Sequence, residues 1–113
     1  FPVATPAPWY QNVTIPETRA PRTPNYNATA VPGSPDRHHW LIRNQTPLNE
    51  LEASKVDELY VSRLKTLLSV DDLVEDLMRT LGRLGVLDST YVFFTSDNGY
   101  RLGQFRMPQC KLH

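Results

Sequence analysis

An α/β fold is predicted by two features of the sequence and by their order. From Ser54 onward, Val56, Leu59, Tyr60, Leu64, Leu67, Val70, Val74, Leu77, Leu81 and Leu84 recur at three- and four-residue spacings, the period of an amphipathic helix. A few residues later comes Tyr91-Val92-Phe93-Phe94, an uncharged aromatic and β-branched run of the kind found in strands buried on both faces. The order helix, tight loop, buried strand, polar loop is half of a parallel α/β unit. Such a unit needs neighbouring strands that this chain does not supply, so the sequence is expected to be an excerpt of a larger domain. The lack of an initiator Met and of a signal-peptide apolar region leads to the same expectation.

Residues 1–50 hold all but one of the 10 prolines and show little periodicity, which predicts an irregular, loop-rich half. Phe1–Thr5 reads as the tail of a strand that stops at Pro6-Ala7-Pro8, and Trp40-Leu41-Ile42 is the other apolar cluster. In the helical half, Ser54 with Asp57 and Ser69 with Asp72 both fit the S-x-x-D helix-start signal. They predict two helices, or one kinked near Leu68 to Val70. Gly85 is a natural C-terminal stop and Asp88-Ser89-Thr90 a short loop into the strand. After the strand, Asp97-Asn98-Gly99 fits two readings. One is an ordinary turn. The other is a cation loop, because an acid and an amide beyond the end of a strand offer two hard oxygens.

Composition narrows the function classes. Twelve basic and 12 acidic residues balance, so no broad field would attract nucleic acid or an anionic membrane. No apolar run approaches the roughly 20 residues that span a bilayer. A single cysteine forms no internal disulfide. Asn12-Val13-Thr14, Asn27-Ala28-Thr29 and Asn44-Gln45-Thr46 match the N-glycosylation pattern, the third weakened by Pro47. They predict a secreted or lysosomal protein with glycans at Asn12, Asn27 and Asn44.

The stretch LLSVDDLVEDLMRTLGRLGVLDSTYVFFTSDNGYRLGQF, with TPAP near residue 5 and HWLIR at His39 to Arg43, resembles the sulfatases of the alkaline-phosphatase-like superfamily. Within them it is most similar to the subgroup that acts on the 6-O-sulfate of N-acetylglucosamine. The resemblance makes residues 1–113 part of a catalytic domain, residues 1–50 being the loop-rich segment and 54–113 the helix, strand and metal loop. It implies that Asp97 and Asn98 ligate one Ca²⁺, whose charge offsets that building on the sulfuryl group, and that Gly99 lets the chain turn around the ion. It implies that Lys111 contacts the substrate sulfate, and that Arg101 lines the substrate site where relatives carry histidine. Sulfated sugars or glycosaminoglycans are the implied substrates.

The departures are equally specific. The family nucleophile is a formylglycine made from the cysteine of a C-x-P/A-x-R motif, and these 113 residues contain no such motif. Cys110 lacks the required neighbours and is read as an incidental thiol. Pro8 is followed directly by Trp9-Tyr10, where relatives place an active-site histidine. His38 and His39 are read as structural or as part of the substrate rim. No residue of this chain is therefore assigned as catalytic, and a non-catalytic or decayed sulfatase-like protein is the alternative. A phosphatase or phosphodiesterase of the same superfamily fits the Thr95 to Phe105 stretch less well.

Overall fold

The computed structural model describes residues 4–28 and 39–108. Phe1–Val3 of the expected strand tail, together with His38, Cys110 and Lys111, lie outside them. Among the described residues there are two α-helices, a short α1, Trp40–Arg43, and a long α2, Glu50–Arg83. Two 3-10 turns, Pro8–Tyr10 and Leu87–Ser89, are the other regular elements among them.

α2 is one continuous helix of 34 residues, which corrects both the expected start near Ser54 and the expected break at residues 68–70. It begins at a capping box: the Asn49 side chain accepts from the Glu52 amide and the Glu52 carboxylate accepts from the Asn49 amide, each at 2.9 Å. Neither proline nor glycine interrupts it before Gly82, so nothing forces a kink at Ser69. Gly85 ends it as anticipated. With φ +68 it places the Val86 amide on the Leu81 carbonyl (3.2 Å) and its own on the Gly82 carbonyl (3.0 Å), the paired bonds of a Schellman stop.

The aspartates of the two expected start signals sit inside the helix and do different work. Asp57 Oδ1 accepts from the Ala20 amide at 2.9 Å, and its Oδ2 pairs with the Arg22 guanidinium at 2.7 Å. Both oxygens of Asp72 accept from the Tyr10 hydroxyl at 2.7 Å. Between them, Lys65 Nζ donates to the Gln11 carbonyl at 2.8 Å. The proline-rich segment thus runs antiparallel along α2, fastened by side chains rather than by a ladder. This is why so irregular a stretch holds one path.

The core lies where this segment and the chain after Tyr100 meet the first turns of α2: Ala20, Val56, Leu59 and Met107 are buried. The 101–107 arc folds back on residues 25–27 through the Asn27 amide to the Gly103 carbonyl and the Phe105 amide to the Asn25 carbonyl, both 2.8 Å. Gly103 is required here. Its φ is +96, and a Cβ at this position would lie 2.2 Å from the Tyr26 ring.

The buried strand expected at Tyr91–Phe94 is not seen. These residues form no regular element, make no ladder with any described residue, and leave Tyr91, Phe93 and Phe94 more than 80 % exposed (89 %, 88 % and 82 %). A doubly buried strand takes its hydrogen bonds from strands on either side, and no described residue provides them. The far half of α2 is bare in the same way: Leu67, Leu73, Val74 and Leu77 are exposed, as is Leu84 just after it.

Candidate functional site

The Thr95-Ser96-Asp97-Asn98-Gly99 loop follows the aromatic run and closes on itself. The Asn98 amide donates to Asp97 Oδ1 at 2.9 Å, the Ser96 hydroxyl donates to the Asn98 carbonyl at 2.8 Å, and Asn98 Nδ2 donates to the Gly99 carbonyl at 2.7 Å. This sets a carboxylate and an amide oxygen on adjacent, exposed residues. Both donors suit a hard cation, which for calcium takes six to eight oxygens. Among the described residues no three His, Cys, Asp or Glu side chains converge. Asp97 and Asn98 therefore fit one wall of a calcium site and need further oxygens to complete it.

The next residues carry the loop onto the body of the molecule. The Arg63 guanidinium of α2 sits 3.9 Å over the Tyr100 ring. Arg101 separates two concavities. One, of about 250 Å³, is lined by His39, Leu41, Ile42, Gln45, Arg101 and Met107. The other, of about 430 Å³, is bordered by Asn98, Gly99, Tyr100 and Arg101 and shares Ile42 and Met107 with the first. The Arg101 guanidinium lies against the buried Met107 sulfur where the two concavities meet. The structure thus brings Asn98 and Arg101 to one concavity and Arg101 and His39 to another, while Lys111 lies outside the described residues.

His39 acts locally as a cap: its Nδ1 accepts from the Leu41 amide at 3.3 Å at the start of α1. Gln45 and Arg106 belong to the site's frame and were not anticipated. The Arg106 guanidinium donates to the carbonyls of Gln45 (2.9 Å) and Asn27 (3.3 Å), holding the arc against the α1–α2 link. No periodicity could signal them, since these partners are 61 and 79 positions apart. Of the three glycosylation-type asparagines, Asn12 and Asn44 are exposed and Asn27 is half-buried.

A family model described as Sulfatase matches residues 6–111, which is nearly the whole chain. The chain belongs to the sulfatase family. Among individual sulfatases it is 46 % identical to the N-acetylglucosamine-6-sulfatase of Capra hircus over 105 residues, 92 % of this chain and 18 % of that protein. The human enzyme of that name is 42 % identical over 114 residues, 94 % of this chain and 20 % of its own length. A sulfatase of Metarhizium majus is 38 % identical over 112 residues, 98 % of this chain and 25 % of its own. No solved structure gives a significant match. The chain therefore spans 18–25 % of the length of these sulfatases. Membership implies the alkaline-phosphatase-like α/β fold for the domain to which these elements belong.

Proposed function

We propose that this chain is the metal-loop segment of a sulfatase hydrolysing sulfate esters, acting on the 6-O-sulfate of N-acetylglucosamine in glycosaminoglycans. The observation that carries the reading is the Asp97-Asn98 pair beside the Arg101 cleft, in a chain 46 % identical to an N-acetylglucosamine-6-sulfatase over 92 % of its length. Asp97 and Asn98 would hold one Ca²⁺, which when bound offsets negative charge on the sulfuryl oxygens. Arg101, which lines both concavities, offers the same anion a planar set of donors. Lys111 is assigned a further contact to the sulfate. The nucleophile is not among these 113 residues. A lysosomal or secreted location, with glycans at the exposed Asn12 and Asn44, accords with the resemblance to an extracellular sulfatase of Drosophila melanogaster, 41 % identical over 74 % of this chain.

The test is made on the full-length protein produced in a host that generates formylglycine. Asp97→Ala is expected to abolish release of sulfate from N-acetylglucosamine-6-sulfate while costing about 1 kcal/mol of stability or less, because it removes an exposed charge and no core volume. Near-normal turnover by the variant overturns the assignment of the metal loop. A non-catalytic reading is favoured by two departures from the pattern the resemblance implies, Arg101 in place of a histidine and Trp9 directly after Pro8 where an active-site histidine is expected. It predicts sulfate-ester binding without turnover by the unmodified full-length protein.

A further inference from the structure

We propose that Asn27, although it heads the acceptor motif Asn27-Ala28-Thr29, carries no glycan in the folded protein and serves instead as the clamp joining the 101–107 arc to the start of α2. All four of its polar groups are engaged. The backbone amide donates to the Gly103 carbonyl at 2.8 Å and the backbone carbonyl accepts from Arg106 Nε at 3.3 Å. In the side chain, Oδ1 accepts from the Leu48 amide at 2.8 Å and Nδ2 donates to the Leu48 carbonyl at 3.3 Å. Leu48 directly precedes Asn49, whose capping box starts α2. The backbone of Asn27 has φ 53, a left-handed conformation that asparagine tolerates better than most residues.

The shape of an amide makes the clamp and a glycan mutually exclusive. A side chain that both accepts from and donates to one backbone residue must use Oδ1 and the hydrogen lying on the same edge as Oδ1. Attachment of a sugar to Nδ2 turns the group into a secondary amide. Secondary amides are planar and place the nitrogen's substituent trans to the carbon chain, on the oxygen's edge. The sugar's first carbon would then occupy the position of the hydrogen that now points to the Leu48 carbonyl. A chain modified at Asn27 during synthesis could not close the clamp, and its half-buried site would have to open to admit the sugar. Asn12, which is exposed, carries no such conflict.

The experiment uses the full-length protein secreted from a glycosylating eukaryotic host. Enzymatic deglycosylation in heavy-oxygen water, followed by peptide mass spectrometry, is expected to label Asn12 and leave Asn27 unlabelled. Thr29→Ala removes the motif but keeps the amide, so its melting temperature should equal the wild type's. Asn27→Gln removes motif and clamp together and should lower it by about 2 °C or more. Where that variant is not secreted while Thr29→Ala is, the clamp is supported equally. A stoichiometric glycan at Asn27 in the folded protein, or equal melting temperatures for the two variants, overturns the proposal.

Discussion

Tyr26 lies with its ring against Gly103 and under the Arg22 guanidinium, 4.1 Å from the ring centre, while its hydroxyl is buried with no hydrogen-bond partner among the described residues. Burial pushes that hydroxyl above its ordinary value, and the nearby Arg22 charge opposes the shift only in part. A tyrosine whose folded value is raised contributes stability fully present below its unfolded value near pH 10, and lost as pH rises through the folded one. Tyr26→Phe should therefore leave stability at pH 7 unchanged or up to about 1 kcal/mol higher, since an unpartnered hydroxyl is removed. It should also flatten the decline of melting temperature above about pH 10. An unchanged alkaline slope would show that the hydroxyl does not titrate with folding. At Arg101 the prediction concerns catalysis. A guanidinium binds an anion but does not exchange a proton near neutral pH, whereas an imidazole does both. In the full-length protein Arg101→His is expected to raise kcat about tenfold or more with little change in KM, because proton transfer is assisted only in the transition state. A higher KM at constant kcat would mean that Arg101 serves only to bind.

At the scale of elements, the irregular half is held by α2 through point attachments, and Asp57 is the heaviest of them. It meets the Ala20 amide and the Arg22 guanidinium, with its side chain 17 % exposed. Asp57→Ala should cost about 2–3 kcal/mol by leaving the amide and the guanidinium without their acceptor, whereas Asp72→Ala, which breaks only an exposed bond to Tyr10, should cost under about 1 kcal/mol. Equal losses in chemical denaturation would contradict this ranking. The same aspartates show what the sequence could and could not disclose. Helix period and the glycine stop are local properties, so α2 and its end at Gly85 were legible. Asp57 and Asp72 were misread as start signals because a carboxylate that caps a helix and one that receives a distant loop look alike in sequence. That Asp97 and Asn98 present their oxygens from one loop was legible because they are neighbours. The cleft joining Arg101 to His39 depends on contacts across some sixty positions, which only the folded chain shows.

The whole molecule is long and thinly packed, with extents of 56 × 33 × 22 Å and only Ala20, Val56, Leu59 and Met107 forming its buried apolar core among the described residues. So little burial offsets only part of the ordering entropy. The 113-residue chain produced alone should be helical by circular dichroism, melt without a sharp transition, and release no product from an aryl sulfate. A cooperative melt would show that these residues are a folding unit, and turnover would show that they suffice for catalysis. The exposed run at Tyr91–Phe94 has a consequence beyond the fold. Between Asp88 and Asp97 the chain is uncharged and rich in β-formers, the composition of segments that stack into cross-β assemblies, and those two aspartates are its only charged borders. Asp97 is thus a gatekeeper as well as a proposed metal ligand. Its replacement by alanine extends the uncharged run to Tyr100 and should raise the self-association of any newly made chain in which the run is uncovered. Activity lost with Asp97→Ala must accordingly be measured on monomer, and Asp97→Glu, which keeps the charge, should restore solubility whatever it does to turnover.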